Sequence, residues 1–160
     1  MKANLLLNNK KSKRSGYLNI DPFCEVSDTQ YIRGDVSNLD ALVDDGSLLE
    51  LLAHNILEYF PHVMHTHILL NWLKKVGLNG YISIVTTDFE MVCNALTSNQ
   101  ISPNQAQILL WGEQKEQWEL KKGCVSFFGI VDFLESRGFK ITKKRFGDDF
   151  KAIVVAQRIS

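Results

Sequence analysis

Cysteine is scarce in this sequence. Its three cysteines, Cys24, Cys93 and Cys124, lie far apart and form no Cys-x-x-Cys pair. Disulfide scaffolds and cysteine-based zinc sites need more cysteines or closely spaced ones. The sequence therefore supports neither class of protein, and we expect three free thiols.

Long apolar runs are also lacking. The longest run near the start is Leu5 to Leu7, and no stretch approaches the ~20 apolar residues of a membrane-spanning helix. The run is also shorter than the apolar core of a signal peptide. We therefore expect no membrane partner and a cytoplasmic location.

Neither sign of charge is in excess, because 18 lysines and arginines balance 18 aspartates and glutamates. One basic segment stands out, with Lys10, Lys11, Lys13 and Arg14 in five positions. It is either a solvated loop or a contact for phosphate groups. A segment this short, with no aromatic residues between its charges, argues against a nucleic-acid partner.

What is present is the composition of an ordinary folded chain, with 45% hydrophobic residues in 160 positions. A chain of this length can bury one sizeable core but not two. We therefore predict a single domain over residues 1–160.

Short apolar runs alternate with helical patterns along the chain. The predicted strands are residues 3–7, 17–20, 31–32, 48–53 and 81–85, and a terminal hairpin pairs 140–146 with 150–157. Apolar residues at helical spacing predict helices over 69–76, 89–96 and 127–134, and Ser102-Pro103 begins another. This order predicts an α/β fold with a three-layer, doubly wound sheet, mostly parallel with an antiparallel C-terminal hairpin strand.

In such sheets, ligands bind beyond the carboxyl ends of the strands. The residues that follow the predicted strands are therefore the first candidates for a site. They are Asn8 to Lys10, Asp21, Asp35 and Val36, His54 and Asn55, and Asp88.

At these strand ends the sequence resembles the class I S-adenosylmethionine-dependent methyltransferases, in particular their compact type 11-like group. The matching stretches occur in the family's order over nearly the whole chain. They are Gly16-Tyr17-Leu18-Asn19-Ile20-Asp21, Gly34-Asp35-Val36, Asp45-Gly46-Ser47, Ile56-Leu57-Glu58-Tyr59-Phe60 and Asn79-Gly80-Tyr81-Ile82-Ser83-Ile84, followed by the closing helix 127–139. The resemblance implies a Rossmann-like methyltransferase fold and S-adenosylmethionine as the cofactor.

The resemblance also implies roles for individual residues. Asp21 would hold the ribose hydroxyls of the cofactor, Asp35 would meet the adenine amino group, and Val36 would pack on the adenine ring. Asn55 would face both the cofactor and the methyl acceptor.

The first loop departs from the family pattern. Where the family has Gly-x-Gly, this chain has Asn8-Asn9-Lys10. Asparagine tolerates the left-handed backbone conformation better than most residues, so it is a plausible substitute for glycine. The ammonium of Lys10 could pair with the cofactor carboxylate.

Two functions follow as alternatives. The first is a methyltransferase acting on a small molecule or glycan precursor, with His54 or Asp88 as the base, Asn55 as a positioning group and Glu58 behind them. The second is a catalytically inactive relative that serves as a binding or structural subunit. An open pocket with Asn8 or Asn9 at positive φ favours the first, whereas side chains of Asn9 or Lys10 filling the pocket favour the second.

Two further groups of residues have less specific explanations. His62, His65 and His67 have no nearby cysteine or carboxylate to complete a tetrahedral set, so we predict no metal site. Trp111 and Trp118 lie where the family covers its acceptor pocket, so they would line a lid or, alternatively, a homodimer contact.

Overall fold

The computed structural model describes residues 1–25 and 30–160, and of Lys10 only the backbone. Within these residues it contains six strands and four α-helices. The strands are β1 (Lys2–Leu5), β2 (Leu18–Ile20), β3 (Leu48–His54), β4 (Val76–Thr87), β5 (Phe139–Phe146) and β6 (Lys151–Arg158). The helices are α1 (His62–Lys75), α2 (Phe89–Thr97), α3 (Pro103–Trp111) and α4 (Phe127–Glu135).

The strands form one mixed sheet in the order β2-β1-β3-β4-β6-β5. The first four strands are parallel, whereas β6 pairs antiparallel with both β4 and β5. The predicted α/β class, the mostly parallel sheet and the antiparallel terminal hairpin are confirmed. The short run at Tyr31 and Ile32 forms a single parallel bridge between Ile32 and Ile20 rather than a strand of its own.

Local sequence signals account for the helix starts. The Ser102 side chain accepts a hydrogen bond from Gln105 N, and Ser102 N donates in return to Gln105 Oε1. Pro103 fills the first helical position of α3. Ser126 likewise caps α4 through Gly129 N. These caps satisfy backbone donors that a helix end leaves unpaired.

The junction between α1 and β4 differs from the prediction. Val76, expected on the apolar face of the helix, is already the first residue of β4. Asn79 then takes a φ of 63°, and Gly80 passes so close to β3 that a Cβ atom there would lie 2.7 Å from Leu48 O. The strand therefore bends sharply before it resumes pairing with β3 at Tyr81.

One face of the sheet carries the core. Its buried side chains, among them Leu51, Ile82 and Val154, belong to the same apolar cluster as Trp72 of α1 and Leu134 of α4. Successive side chains of a strand point to opposite faces, so this face accounts for every second residue of the central strands.

The opposite face is more polar and is covered in part by the loop between β1 and β2. Asn4 and Asn19 are buried there and bind the loop backbone, Asn4 through Ser12 O at 2.9 Å and Asn19 through Arg14 N at 3.0 Å. The only helical turn that the structure describes in the loop between β1 and β2 is the short 3₁₀ turn Lys10–Ser12. Side chains and loop backbone therefore cover this face of the sheet between β1 and β2, where an α/β fold usually has a helix.

Candidate functional site

Two cavities open at the carboxyl edge of the parallel strands. The first, which we call the loop cavity, has a volume of about 550 Å³ and lies beside the loop after β1. The second, the aromatic cavity, has a volume of about 280 Å³ and lies beside the loops that follow β2 and the Ile32 bridge. Leu7 and Tyr59 line both cavities, so the two are neighbours, and we refer to them together as the groove.

Asn8 has a φ of 52°, in the left-handed region that glycine occupies most readily. Its backbone N–H donates to Asp21 Oδ1 at 3.1 Å, and the same oxygen accepts from Phe23 N at 2.9 Å. These two hydrogen bonds tie the loop after β1 to the loop after β2. Asp21 itself is only 2% exposed. Asn9 lines the loop cavity, whereas the side chain of Lys10 lies outside the described residues.

Asp35 and Val36 lie together at the aromatic cavity. Asp35 is exposed and accepts hydrogen bonds from both the backbone N and the Oγ of Ser37, at 2.8 and 2.6 Å. Val36 is fully buried, and its carbonyl oxygen accepts from Trp72 Nε1 at 2.8 Å. Asp35 thus stabilises its own turn and also borders the aromatic cavity. The Trp72 indole fixes the backbone of the neighbouring Val36.

Aromatic rings form much of the wall of the aromatic cavity. The ring centroids of Phe23 and Trp118 lie 5.9 Å apart, and Phe60 and Leu120 line the same space. Phe23, which follows Asp21-Pro22, was not predicted as a site residue. Trp111 lies elsewhere, beside Ile108 and Gly112, so the structure brings only Trp118 to the groove.

His54, the last residue of β3, and Asn55, which follows it, line the loop cavity. His54 Nε2 lies 2.8 Å from Ser83 Oγ on β4, and burial together with the nearby Arg14 charge lowers the pKa of His54 below its usual 6.5. Asn55 has a φ of 56°, and its backbone N–H donates to Val85 O at 2.7 Å. The two residues therefore present a neutral imidazole and an amide to the same space.

A buried polar cluster that sequence analysis missed supports Asn55. Lys151 Nζ donates to Asn55 Oδ1 at 2.5 Å and to Thr87 Oγ1 at 3.0 Å, and it lies 3.9 Å from Glu58 Oε1. Lys121 Nζ donates to Thr87 Oγ1 from another side, also at 3.0 Å, and burial lowers the pKa of Lys121. No local signal could have found Lys151, because the pairing that places it opposite Thr87 joins β6 to β4, a strand far away in the sequence.

Asp88 has a different place from the one predicted. It is 2% exposed, its Oδ2 accepts from Met91 N at 3.0 Å, and its Oδ1 accepts from Phe127 N at 2.7 Å. It therefore caps α2 and binds the first residue of α4, and it does not line either cavity. Both oxygens of its carboxylate already accept helix-terminal N–H groups, so Asp88 is placed as a cap and not as the predicted base.

Residues 1–25 and 30–160 contain neither a group of side chains suited to a metal ion nor a helix suited to cross a membrane. Over these ranges no three His, Cys, Asp or Glu side chains are grouped so that they could hold a metal ion. His65 Nε2 instead lies 2.8 Å from Phe60 O. None of the helices in the same ranges combines the length and apolar character needed to cross a membrane.

Comparison with solved structures shows the same fold in several methyltransferases. The chain superimposes with a TM-score of 0.61 and 9% identity on a chain of the complex between the Haloferax volcanii Trm112 methyltransferase activator and a methyltransferase, covering 99% of this chain and 83% of that one. An S-adenosylmethionine-dependent methyltransferase from Thermotoga maritima gives a TM-score of 0.60 at 12% identity, with 98% and 82% covered. The Burkholderia thailandensis 1,6-didemethyltoxoflavin-N1-methyltransferase, solved with bound 1,6-didemethyltoxoflavin and S-adenosylhomocysteine, gives a TM-score of 0.59 at 7% identity, with 90% and 61% covered.

These similarities confirm the Rossmann-like methyltransferase fold. No family model and no curated protein matches the chain. The chain spans about three-fifths of the length of the Burkholderia enzyme. At these identities the similarity establishes the fold alone.

Proposed function

We propose that this chain is an S-adenosylmethionine-dependent methyltransferase-like protein whose acceptor is a small molecule or glycan precursor. The observation that carries the proposal is the left-handed Asn8 beside an open cavity of about 550 Å³. A loop that had lost its ligand would be expected to fill this space with its own side chains. When bound, the cofactor would supply a methyl group on a positively charged sulfur, which an acceptor atom attacks in line.

The residues of the aromatic cavity suit an adenine ring. Val36 and Phe23 offer apolar surface, and the Asp35 carboxylate can accept from an exocyclic amino group. Asp21 is 2% exposed and lines neither cavity, so its proposed role is to hold the loops after β1 and β2 in place around the ribose rather than to bind the ribose hydroxyls as the resemblance implied. Asn8, Asn9 and Lys10 would then border the methionine part.

His54 and Asn55 are the proposed acceptor-facing groups. His54 has a lowered pKa, so at neutral pH its uncharged ring can take a proton from an acceptor. The Lys151 ammonium occupies the Asn55 oxygen, which leaves the Asn55 amide N–H groups as donors that can position the acceptor. Glu58 supports this pair from behind through Lys151.

The first experiment is titration calorimetry of the purified chain with S-adenosylmethionine and S-adenosylhomocysteine. We expect micromolar binding, about −8 kcal/mol, weakened roughly tenfold by Asp35→Asn because the adenine amino group loses a charged acceptor. Asp132→Asn, on the exposed side of α4, is the matched control and should bind as the parent does.

The alternative is an inactive subunit that binds a partner. It is favoured by the carboxylate of Asp21, which already fastens two loops, and by that of Asp35, which already closes its own turn. A folded chain that gives neither heat nor thermal stabilisation with millimolar ligand would support this alternative and contradict the enzyme proposal.

A further inference from the structure

The loop cavity is strongly basic. Lys11, Lys13 and Arg14 all line it, and its described lining residues include no aspartate or glutamate. His54 on its wall adds no compensating negative charge and is itself kept neutral in part by Arg14. The walls thus carry three cationic side chains.

The Glu50 carboxylate on β3 is a negative charge near the loop cavity, but it is already paired with other side chains. Its Oε2 accepts from the Tyr17 hydroxyl at 2.5 Å and lies 3.2 Å from Lys2 Nζ. These partners lower the pKa of Glu50 against the opposing effect of burial, so Glu50 is ionised but is already paired with Lys2. Most of the positive charge of the loop cavity is therefore left for a ligand.

The basic segment is also held in place. Asn4 Nδ2 donates to Ser12 O and to Asn19 Oδ1, each at 2.9 Å, and Asn19 binds both the N and the O of Arg14, at 3.0 and 2.9 Å. Both asparagines are buried, at 3% and 5% exposure. A fixed backbone spares a ligand part of the entropic cost of ordering the loop.

The cofactor of the proposed function cannot neutralise this cavity. At neutral pH S-adenosylmethionine carries one carboxylate, one ammonium and one sulfonium, so its net charge is positive. Its carboxylate can match only one of the three cations. A second ligand with several negative charges would satisfy the others and would also favour the positively charged cofactor beside it.

We propose, on the basis of the proposed function, that the acceptor is a small molecule carrying a phosphate or pyrophosphate group, bound by Lys11, Lys13 and Arg14. The planar guanidinium of Arg14 matches phosphate oxygens in pairs, and the ammonium groups of Lys11 and Lys13 add point charges. The Lys13 ammonium also donates to Gln30 Oε1, a neutral acceptor that leaves its positive charge in place. The cavity has the size of a small-molecule site, so a phosphorylated small molecule fits it better than a polynucleotide.

Inorganic pyrophosphate is the first probe, titrated into the full chain by calorimetry. We expect Arg14→Gln and Lys11→Gln each to weaken pyrophosphate binding roughly tenfold, because each removes a charge-assisted hydrogen bond. Lys143→Gln, an exposed lysine of β5, is the matched control and should not change it. Thermal melts test whether the variants are folded. We expect Arg14→Gln to fold, because the contacts that hold the loop use the backbone N and O of Arg14 and not its side chain.

A second titration measures coupling. Saturating pyrophosphate should tighten binding of S-adenosylmethionine about threefold or more, and should leave the neutral S-adenosylhomocysteine nearly unchanged, since only the former adds a positive charge. Equal pyrophosphate affinity in Arg14→Gln and Lys143→Gln would overturn the site. Tighter binding of citrate would overturn the assignment of phosphate, and tighter binding of a ten-nucleotide single strand would overturn the small-molecule acceptor.

The two proposals fail in different ways. Binding of S-adenosylhomocysteine without binding of pyrophosphate would overturn the anionic acceptor and leave the methyltransferase proposal standing. Binding of pyrophosphate without either cofactor form would support the anion site and contradict the methyltransferase proposal.

Discussion

Lys151 Nζ lies 2.5 Å from Asn55 Oδ1 and joins residues that are 96 positions apart in the sequence. Lys151 begins β6, the last strand of the terminal hairpin, and Asn55 directly follows β3. The hairpin therefore does more than extend the sheet, because it supplies the cation that fixes the amide at the loop cavity.

Removal of this cation should destabilise the protein. Lys151→Met leaves the Glu58 carboxylate, 2% exposed, without the ammonium 3.9 Å away. Breaking a buried pair costs about 3–5 kcal/mol, and since Lys151 is partly exposed we expect about 2 kcal/mol. Urea denaturation measures the loss, with Lys144→Met on the exposed edge strand as the control. Equal stability of the two variants would contradict the supporting role of Lys151.

Asp88 should prove structural rather than catalytic. Asp88→Ala removes the α2 cap and leaves the Phe127 N–H without its acceptor. A lost cap costs about 1 kcal/mol and a buried unsatisfied donor about 1–3 kcal/mol, so we expect a loss of about 2–4 kcal/mol in the free energy of unfolding. Binding of S-adenosylhomocysteine, measured below the melting temperature, should be retained. A stable Asp88→Ala chain would show that the cap matters little.

The backbone at Asn8 gives a test of the degenerate glycine loop. Because Asn8 has a φ of 52°, Asn8→Gly should be neutral or slightly stabilising, whereas Asn8→Ala should cost about 1 kcal/mol. Asn9, with a φ of −111°, is the matched control, and Asn9→Ala should change stability by less than about 0.5 kcal/mol. If Asn8→Ala proved more stable than Asn8→Gly, that result would argue against the left-handed conformation of Asn8.

Much of this architecture could be predicted from the sequence because its signals are local. Apolar spacing and capping residues placed α2, α3 and α4, and the hairpin pattern placed β5 and β6. Strand ends meet at one edge of a parallel sheet, so the sequence also predicted that Asn9, His54 and Asn55 would share a cavity.

The remainder depends on tertiary contacts that no local pattern encodes. Lys121 and Lys151 are ordinary lysines in the sequence, and only folding brings both to Thr87 Oγ1. Asp88 follows a strand and precedes a helix, where a base and a cap have the same sequence pattern. The closeness of Arg14 to His54 likewise depends on buried amides that fasten the loop across the sheet.

The lowered pKa of His54 predicts a pH dependence of stability. In the unfolded chain the ring titrates near 6.5, whereas in the folded chain burial and Arg14 hold its pKa lower. Below pH 6.5 the unfolded state therefore binds more protons, so this contribution to stability is present above that pH and is lost as the pH falls towards the folded pKa. His54→Gln should lose less stability than the parent between pH 7.5 and 5.5, as measured by urea denaturation at each pH. Some pH dependence of stability should remain in His54→Gln, because burial also lowers the pKa of His65. Identical slopes of stability against pH for the parent and His54→Gln would contradict the lowered pKa of His54.

Two glycines with opposite surroundings test the bend in β4. A Cβ atom at Gly80 would lie 2.7 Å from Leu48 O and 2.9 Å from Gly77 O, both backbone atoms that cannot move without disturbing the pairing of β3 and β4. We expect Gly80→Ala to cost about 2 kcal/mol or more, as overpacking does. At Gly129, inside α4, the nearest atom to an added Cβ is 3.7 Å away, so Gly129→Ala should stabilise the chain by about 0.5–1 kcal/mol through helix propensity. Urea denaturation of the two variants should thus give changes of opposite sign, and a neutral Gly80→Ala would show that β4 can pass β3 at a greater distance.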